Sequence, residues 1–279
     1  MLKQRVILIV VAILLIVIIY NLPRIVVNNN PDIDLGEEEK AIIVSQGLKE
    51  DERVSELHSL ELGSDDIRKI NQFKIDFSQN SIEDRLAFAD SIAHIYLKYN
   101  KFDSAAKYLE YVAINNPGMI QYEEAGDAYF ESFSFAMDRE KAENFGDKAR
   151  NYYSEILKKQ PERFDLRNKI AMTHISSSNP MQGIIMLRQI LEEDPGNEMA
   201  LYNLGTLSVQ SGQYDRAVEY FNQLVSINPQ NMQAQFYLGL SYYELGDKGK
   251  ARKQFELVKG IEDDPAVIAT VEGYLKELN

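Results

Sequence analysis

A repeated pattern of 34 residues constrains this chain more than any other feature of its sequence. Residues 198–231 predict a helix, a turn at Gly212 and a second helix, with apolar residues 3, 4 and 7 positions apart as on a buried helical face. The pattern recurs at 164–197 and 232–265, and further back at 86–119 and 120–163, the last with about ten extra residues. Two such helices cannot bury these faces alone, so the repeats are expected to stack.

Small residues and prolines recur in the same register. The small residues are expected where helices approach most closely, and each proline follows a second helix, which it ends because it lacks an N–H and has a fixed φ. In the predicted first helices the small residues are Ala93, Gly126, Ala171, Gly205 and Gly239, in the second helices Ala105, Ala149, Gly183, Ala217 and Ala251, and the prolines are Pro117, Pro161, Pro195 and Pro229.

This pattern resembles the tetratricopeptide repeat (TPR) family over about two-thirds of the chain. The resemblance implies an all-α fold: a right-handed TPR superhelix, or α-solenoid, of about five helix pairs with capping helices. There are departures from the family pattern. No tryptophan occupies the first anchor position, His174 and Ser208 replace the expected tyrosine, and the last proline is displaced to Pro265, as suits a repeat that runs into a cap.

An apolar run begins the chain. Residues 6–20 contain no polar side chain before Tyr20, and Lys3 and Arg5 precede them. This composition predicts a transmembrane helix over 6–22; the alternative is a cleaved signal peptide, but the bulky residues at 20–27 lack the small-residue cleavage pattern. Because the flanking positive charges precede the span, we expect a single-pass inner-membrane protein with a cytoplasmic amino terminus and its repeats in the periplasm.

The remaining segments divide the chain between this span and the repeats. Residues 64–85 are expected to cap the repeat array, although their apolar stripe also suits a partner-binding or self-associating helix. Ser81 with Asp84 resembles a capping box. The predicted divisions are a cytoplasmic lead 1–5, the transmembrane helix 6–22, an acidic tether 23–63, an N-terminal capping helix 64–85, repeats 86–119, 120–163 with its insertion, 164–197, 198–231 and 232–265, and a C-terminal capping helix 266–279.

Composition excludes several classes of function. A formal net charge of -13 disfavours binding to nucleic acid, which needs a basic surface. The chain has no cysteine, and His58, His94 and His174 match no metal-ligand spacing. No nucleophile–base or phosphate-binding motif is present. We therefore expect no enzyme activity, no cofactor, no metal and no small-molecule substrate; an enzyme or regulatory subunit with unrecognised chemistry is the alternative.

The TPR resemblance places the partner-binding groove on the first helix of each repeat. The family's carboxylate clamp uses Lys and Asn where this chain has Asp90 and His94, so capture of an acidic carboxyl terminus is disfavoured. The groove is expected to be acidic at its amino-terminal end and aromatic or apolar at the other, with each side chain either contacting a partner or packing on neighbouring helices. The predicted groove residues are Asp90, His94, Glu123, Asp127, Phe130, Asn168, Met172, Tyr202, Thr206, Phe236, Leu240 and Tyr243.

The anchor and acidic repeats together resemble the membrane-anchored bacterial periplasmic TPR proteins of the Sec-translocon-accessory type. That resemblance implies an interaction scaffold or chaperone accessory that binds polypeptide segments of envelope proteins, with translocon or chaperone components as partners. A structural scaffold of a secretion, motility or cell-wall complex is the alternative among binding proteins.

Overall fold

The structure is a computed structural model and describes residues 61–261 and 263–278. These residues form α-helices and no β-strand, which confirms the all-α prediction for this part of the chain. The helices are α1 (Ser64–Gln79), α2 (Ile82–Lys98), α3 (Phe102–Asn115), α4 (Met119–Ser134), α5 (Arg139–Leu157), α6 (Phe164–Ile175), α7 (Pro180–Glu193), α8 (Glu198–Gln210), α9 (Tyr214–Ile227), α10 (Met232–Glu244), α11 (Lys248–Ile261) and α12 (Pro265–Glu277).

The helices stack in pairs. Each helix packs against the next in sequence, and α4, α6, α8 and α10 also contact one another in that order. We call α2, α4, α6, α8 and α10 the first helices of the five pairs, and α3, α5, α7, α9 and α11 the second helices. The helix α1 packs on α2 and α12 packs on α11, so these two helices close the ends of the stack.

Local capping explains where several helices begin. Asn197 and Asn231 occupy the same repeat position, and the side-chain oxygen of each accepts a hydrogen bond from the backbone N–H three residues on, at 3.1 and 2.9 Å. At α2, the Asp84 N–H donates to Ser81 Oγ at 3.4 Å, and the Ser81 hydroxyl donates to the Asp84 carboxylate at 2.8 Å. The capping role predicted for Ser81 is confirmed.

The core lies between the helices of each pair and between successive pairs. Its largest fully buried side chains include Tyr153 and Phe221, each on a second helix and each facing a glycine of the first helix. A Cβ at Gly205 would lie 2.6 Å from the Phe221 ring, and a Cβ at Gly126 would lie 2.7 Å from the Tyr153 ring. Any larger residue at these two positions would push the paired helices apart, as the small-residue pattern predicts.

The helix bounds differ from the predicted repeat bounds in the amino-terminal half. The sequence pattern starts the first repeat at residue 86, but α2 begins at Ile82 because its cap is Ser81. The insertion in the second repeat lengthens both helices of the pair, since α4 has 16 residues and α5 has 19, whereas α8 and α9 have 13 and 14. In the loop before α5, the exposed Phe135 ring stacks on Phe102 of α3 with 5.5 Å between centroids.

The predicted localisation is contradicted. Among residues 61–261 and 263–278, no helix is long and apolar enough to cross a bilayer. The longest, α5, carries charged side chains throughout its length and buries only one face. The expectation of a single-pass inner-membrane protein with periplasmic repeats is therefore wrong. The predicted lead 1–5, transmembrane helix 6–22 and most of the tether 23–63 lie outside the described residues, as does His58.

Candidate partner-binding site

The predicted groove residues all lie on the five first helices, where spacings of 3 and 4 residues bring them onto one side of each helix. Asn168 is buried, whereas the other eleven retain exposed surface. We call the surface formed by these residues the first-helix face. Whether it binds a partner remains a prediction.

Two acidic residues of this face are held by cations of their own chain. The Glu123 carboxylate accepts hydrogen bonds from both terminal nitrogens of Arg163, at 2.6 and 3.1 Å. Asp127 Oδ1 lies 2.7 Å from Lys169 Nζ and accepts a hydrogen bond of 2.7 Å from the Tyr153 hydroxyl. These contacts join α4 to α5 and α6, so both carboxylates have a structural role whatever they bind.

An open cleft of about 200 Å³ lies between α2, α3 and α4 at the acidic end of this face. Its apolar side is formed by one residue from each of these helices, and its polar side by a histidine of α2 and three carboxylates of α4. The apolar residues are Leu97, Leu109 and Ala128, and the polar residues are His94, Glu124, Asp127 and Glu131.

Glu124 and Glu131 differ from the other acidic groups around the cleft. In the part of the chain that the structure describes, neither carboxylate has a hydrogen-bonding or ion-pair partner. Burial raises the pKa of Glu124 above its ordinary value, and the negative charge of Asp90 raises this pKa further. Burial likewise raises the pKa of Glu131, although Lys169 opposes this effect. Both acids are thus half-buried without a cation of their own.

Aromatic residues at the other end of the face pack mainly against their own chain. The Phe236 ring lies 5.9 Å from Phe255 and 6.2 Å from Tyr274 of α12, measured between centroids. The Tyr243 ring lies 5.2 Å from Tyr274, and its hydroxyl donates a hydrogen bond to Glu277. The capping helix α12 therefore occupies much of the apolar end that we expected to receive a partner.

Tyr202 is also packed against neighbouring rings. Its ring makes edge contacts with Phe221 and Tyr237 at 6.2 and 6.0 Å, and burial raises its pKa to about 12. Its side chain is only half-buried, so part of the ring still reaches the surface.

The middle of the face contains a chain of amide contacts. The Asn168 amide donates to the Phe164 carbonyl at 2.9 Å and to Asn197 Oδ1 at 3.2 Å, and it accepts from Asn203 at 3.4 Å. Asn168 thus joins α6 to α8 and is unavailable as a surface contact. The Thr206 hydroxyl donates to the carbonyl of Asn203 in its own helix at 3.0 Å.

The remaining predicted residues are partly buried or exposed. Phe130 lies 5.9 Å from Phe133 between ring centroids, and Lys169 Nζ lies 5.8 Å from the Phe130 centroid. Met172 and Leu240 are half-buried. His94 is exposed and its Nδ1 lies 2.9 Å from the backbone oxygen of Asp90.

Three residues on the α4 side of the cleft were missed from sequence. Glu124, Ala128 and Glu131 follow Glu123, Asp127 and Phe130 by one position each and form the adjacent stripe of the same helix. The signal was present in the spacing, because residues 4 and 7 positions apart share a helical face. The sequence does not show that this adjacent stripe lines the cleft, because that depends on the side of α4 on which α2 lies in the folded chain.

No group of three or more His, Asp or Glu side chains in the described residues is arranged to hold a metal ion. His174 is half-buried, and burial lowers its pKa below the ordinary value.

A family model and several known proteins match parts of this chain that differ in length. The family model described as "Tetratricopeptide repeat" matches residues 169–231 and 202–265. The "Photosystem I assembly protein Ycf3" of Rippkaea orientalis is 32% identical over 77 residues, which cover 27% of this chain and 44% of that protein. The protein of the same name from Acaryochloris marina is 26% identical over 125 residues, covering 41% of this chain and 75% of that protein.

A solved tetratricopeptide repeat protein from Parabacteroides merdae has the same fold. Its TM-score is 0.54 at 18% identity, and the match covers 86% of this chain and 84% of that chain. The more specific resemblance to Sec-translocon-accessory proteins is not confirmed by these comparisons. The repeat pattern, the paired helices and the family match agree, and the chain contains tetratricopeptide repeats over residues 169–265.

Proposed function

We propose that the chain is a non-catalytic interaction protein that binds segments of other proteins on its first-helix face. The observation that carries this proposal is the open cleft at the acidic end of the face, where half-buried carboxylates have no partner in the described chain. A stack of paired helices presents a long surface without needing chemistry of its own. The absence of a recognisable nucleophile–base pair from the sequence is consistent with binding and not turnover.

The similarity to proteins named for photosystem assembly supports a narrower form of the proposal. Those relatives match 77 and 125 residues of this chain. We infer that the chain assists the assembly of a multiprotein complex by holding a segment of one component. The photocrosslinked partner identifies the complex that the chain serves.

Site-specific photocrosslinking in the native host tests the proposal. A photoreactive amino acid is placed at Met172 or Thr206 on the first-helix face, and at Met181 or Glu219 on second helices as matched controls. All four side chains have exposed surface in the free chain. We expect protein adducts at least tenfold more abundant from the first-helix positions. Equal adducts from both sets, or adducts only from the controls, would contradict the proposal.

A further inference from the structure

The cleft between α2, α3 and α4 combines an apolar wall with unpaired negative charge. Leu97, Leu109 and Ala128 supply the wall, each from a different helix. A volume of about 200 Å³ accommodates one long side chain rather than a folded element. The cleft therefore suits a ligand that is aliphatic along its length and charged at its end.

The charge of the cleft is not neutralised from within the described chain. Glu124 and Glu131 lie seven residues apart on α4, or about 10.5 Å along the helix axis. Between them, Asp127 is already bound by Lys169 and Tyr153. His94 lies beside Asp90, with 3.4 Å between its Nδ1 and the Asp90 Oδ1. No cation of the described residues makes an ion pair with either glutamate.

Half-buried carboxylates without partners are unfavourable in the free protein, because burial removes water from the charged group. A cation that enters the cleft restores the lost interaction. A basic side chain does so while its methylene groups cover apolar surface and its head remains near the rim. An acidic side chain would add like charge to the cleft, and a neutral apolar one would leave both carboxylates unpaired.

We propose that this cleft is a receptor site for one basic side chain, lysine or arginine, of a partner polypeptide. This inference rests on the proposed function, since it names the chemistry of the segment that the first-helix face holds. It predicts that partner segments carry a basic residue where they cross α2 and α4.

Methyl NMR of the full chain, labelled at leucine and alanine, tests the inference. The probe is N-acetyl-lysine methylamide, and its neutral counterpart is N-acetyl-norleucine methylamide. We expect the lysine probe to shift the methyl signals of Leu97, Leu109 and Ala128 saturably, with an apparent affinity at least fivefold higher than that of the norleucine probe.

Two double variants with the same change in charge separate the cleft from the rest of the acidic surface. Glu124→Gln/Glu131→Gln should weaken the lysine probe at least fivefold. Glu219→Gln/Glu256→Gln removes two exposed carboxylates from α9 and α11 and should leave the affinity unchanged. A dispersed methyl spectrum shows that each variant is folded.

The inference is overturned if norleucine binds as well as lysine, if the Glu124→Gln/Glu131→Gln variant binds normally, or if the signals that shift lie elsewhere. Photocrosslinks from Met172 and Thr206 together with a failed lysine titration would overturn only the basic-side-chain site. A successful titration with no first-helix crosslinks would retain this site and overturn the proposed function.

Discussion

At the scale of single residues, the fold depends on where side chains are missing as much as on where they are present. Gly205 and Gly126 permit the Phe221 and Tyr153 rings to lie against the backbone of the first helix. At Gly212 the reason is different: its φ of +69° lies in the left-handed region that favours glycine, and it ends the turn between α8 and α9. Small residues are therefore required for two separate physical reasons.

Gly205→Ala is expected to lower the free energy of unfolding by about 1–2 kcal/mol, because overpacking against the fully buried Phe221 ring outweighs the gain in helix propensity. Gly273→Ala is the matched control, since Gly273 lies within α12 and a Cβ at this position would meet no atom within 4 Å. The control should raise stability by about 0.5–1 kcal/mol. Urea unfolding followed by circular dichroism measures both. A Gly205→Ala variant as stable as Gly273→Ala would show that the close approach has no energetic consequence.

As the pH is lowered, the affinity of the cleft for the lysine probe should begin to fall at a higher pH than it would if the glutamates had their ordinary pKa. Burial raises the pKa values of Glu124 and Glu131 above 4.5, so these groups take up protons, and lose the charge that attracts the probe, at a higher pH. Methyl NMR titrations between about pH 7.5 and about pH 5 measure this loss.

Other charged groups face the same carboxylates and require controls. Asp90 and His94 face Glu124, while Asp127 and Lys169 face Glu131. Repeating the series in His94→Gln removes the imidazole from the cleft. The affinity could instead stay constant, in the unmodified protein and in His94→Gln, until the pH at which ordinary glutamates take up protons. That result would contradict the assignment of the cleft charge to Glu124 and Glu131.

At the scale of helices, polar contacts between elements complement the apolar core. Lys148 of α5 lies 2.9 Å from the Glu110 carboxylate of α3, which also accepts a 2.6 Å hydrogen bond from the Tyr129 hydroxyl of α4. These three residues lie on three helices, so the contact joins the first pair to the second. Such contacts fix the position of one helix pair relative to the next.

Tyr274→Ala is expected to destabilise the last pair of helices by about 2–3 kcal/mol while leaving the first pair unchanged. The Tyr274 ring stacks on Phe255 at 5.0 Å, so its removal leaves a cavity at the end of the stack. Hydrogen–deuterium exchange should accelerate in α10 and α11 but not in α2 and α3. Thr270→Ala changes an exposed residue of the same helix and serves as the control; equal acceleration in all pairs would contradict nearest-neighbour stability.

At the scale of the whole molecule, repetition made the architecture predictable. Spacings at Gly205, Phe221 and their counterparts predicted helices, pairing and stacking, because each depends on residues near in sequence. The cleft was only partly predictable. His94 and Asp127 were identified, but Glu124 and Glu131 were not, since the face of α4 that lines a cleft depends on how α2 packs beside it.

For the aromatic end of the groove, the sequence left open whether the rings contact a partner or pack on neighbouring helices. Phe236 and Tyr243 pack on Tyr274 of α12, a contact between residues far apart in sequence, and binding of a partner at this end stays a prediction. The predicted localisation treated one apolar run as decisive, and no described helix can cross a bilayer. Periodicity predicts which face of a helix is apolar, whereas it does not predict which neighbour covers that face.

The central claim is that a protein partner binds on the first helices. The most direct measurement is hydrogen–deuterium exchange of this protein's full chain, with and without the partner that the photocrosslinks identify. We expect slower exchange in α2, α4 and α6, with little change in α5, α7 and α9, because the partner covers the first-helix face and meets α3 only at the cleft. Protection confined to the second helices, or none at saturating partner, would contradict the account.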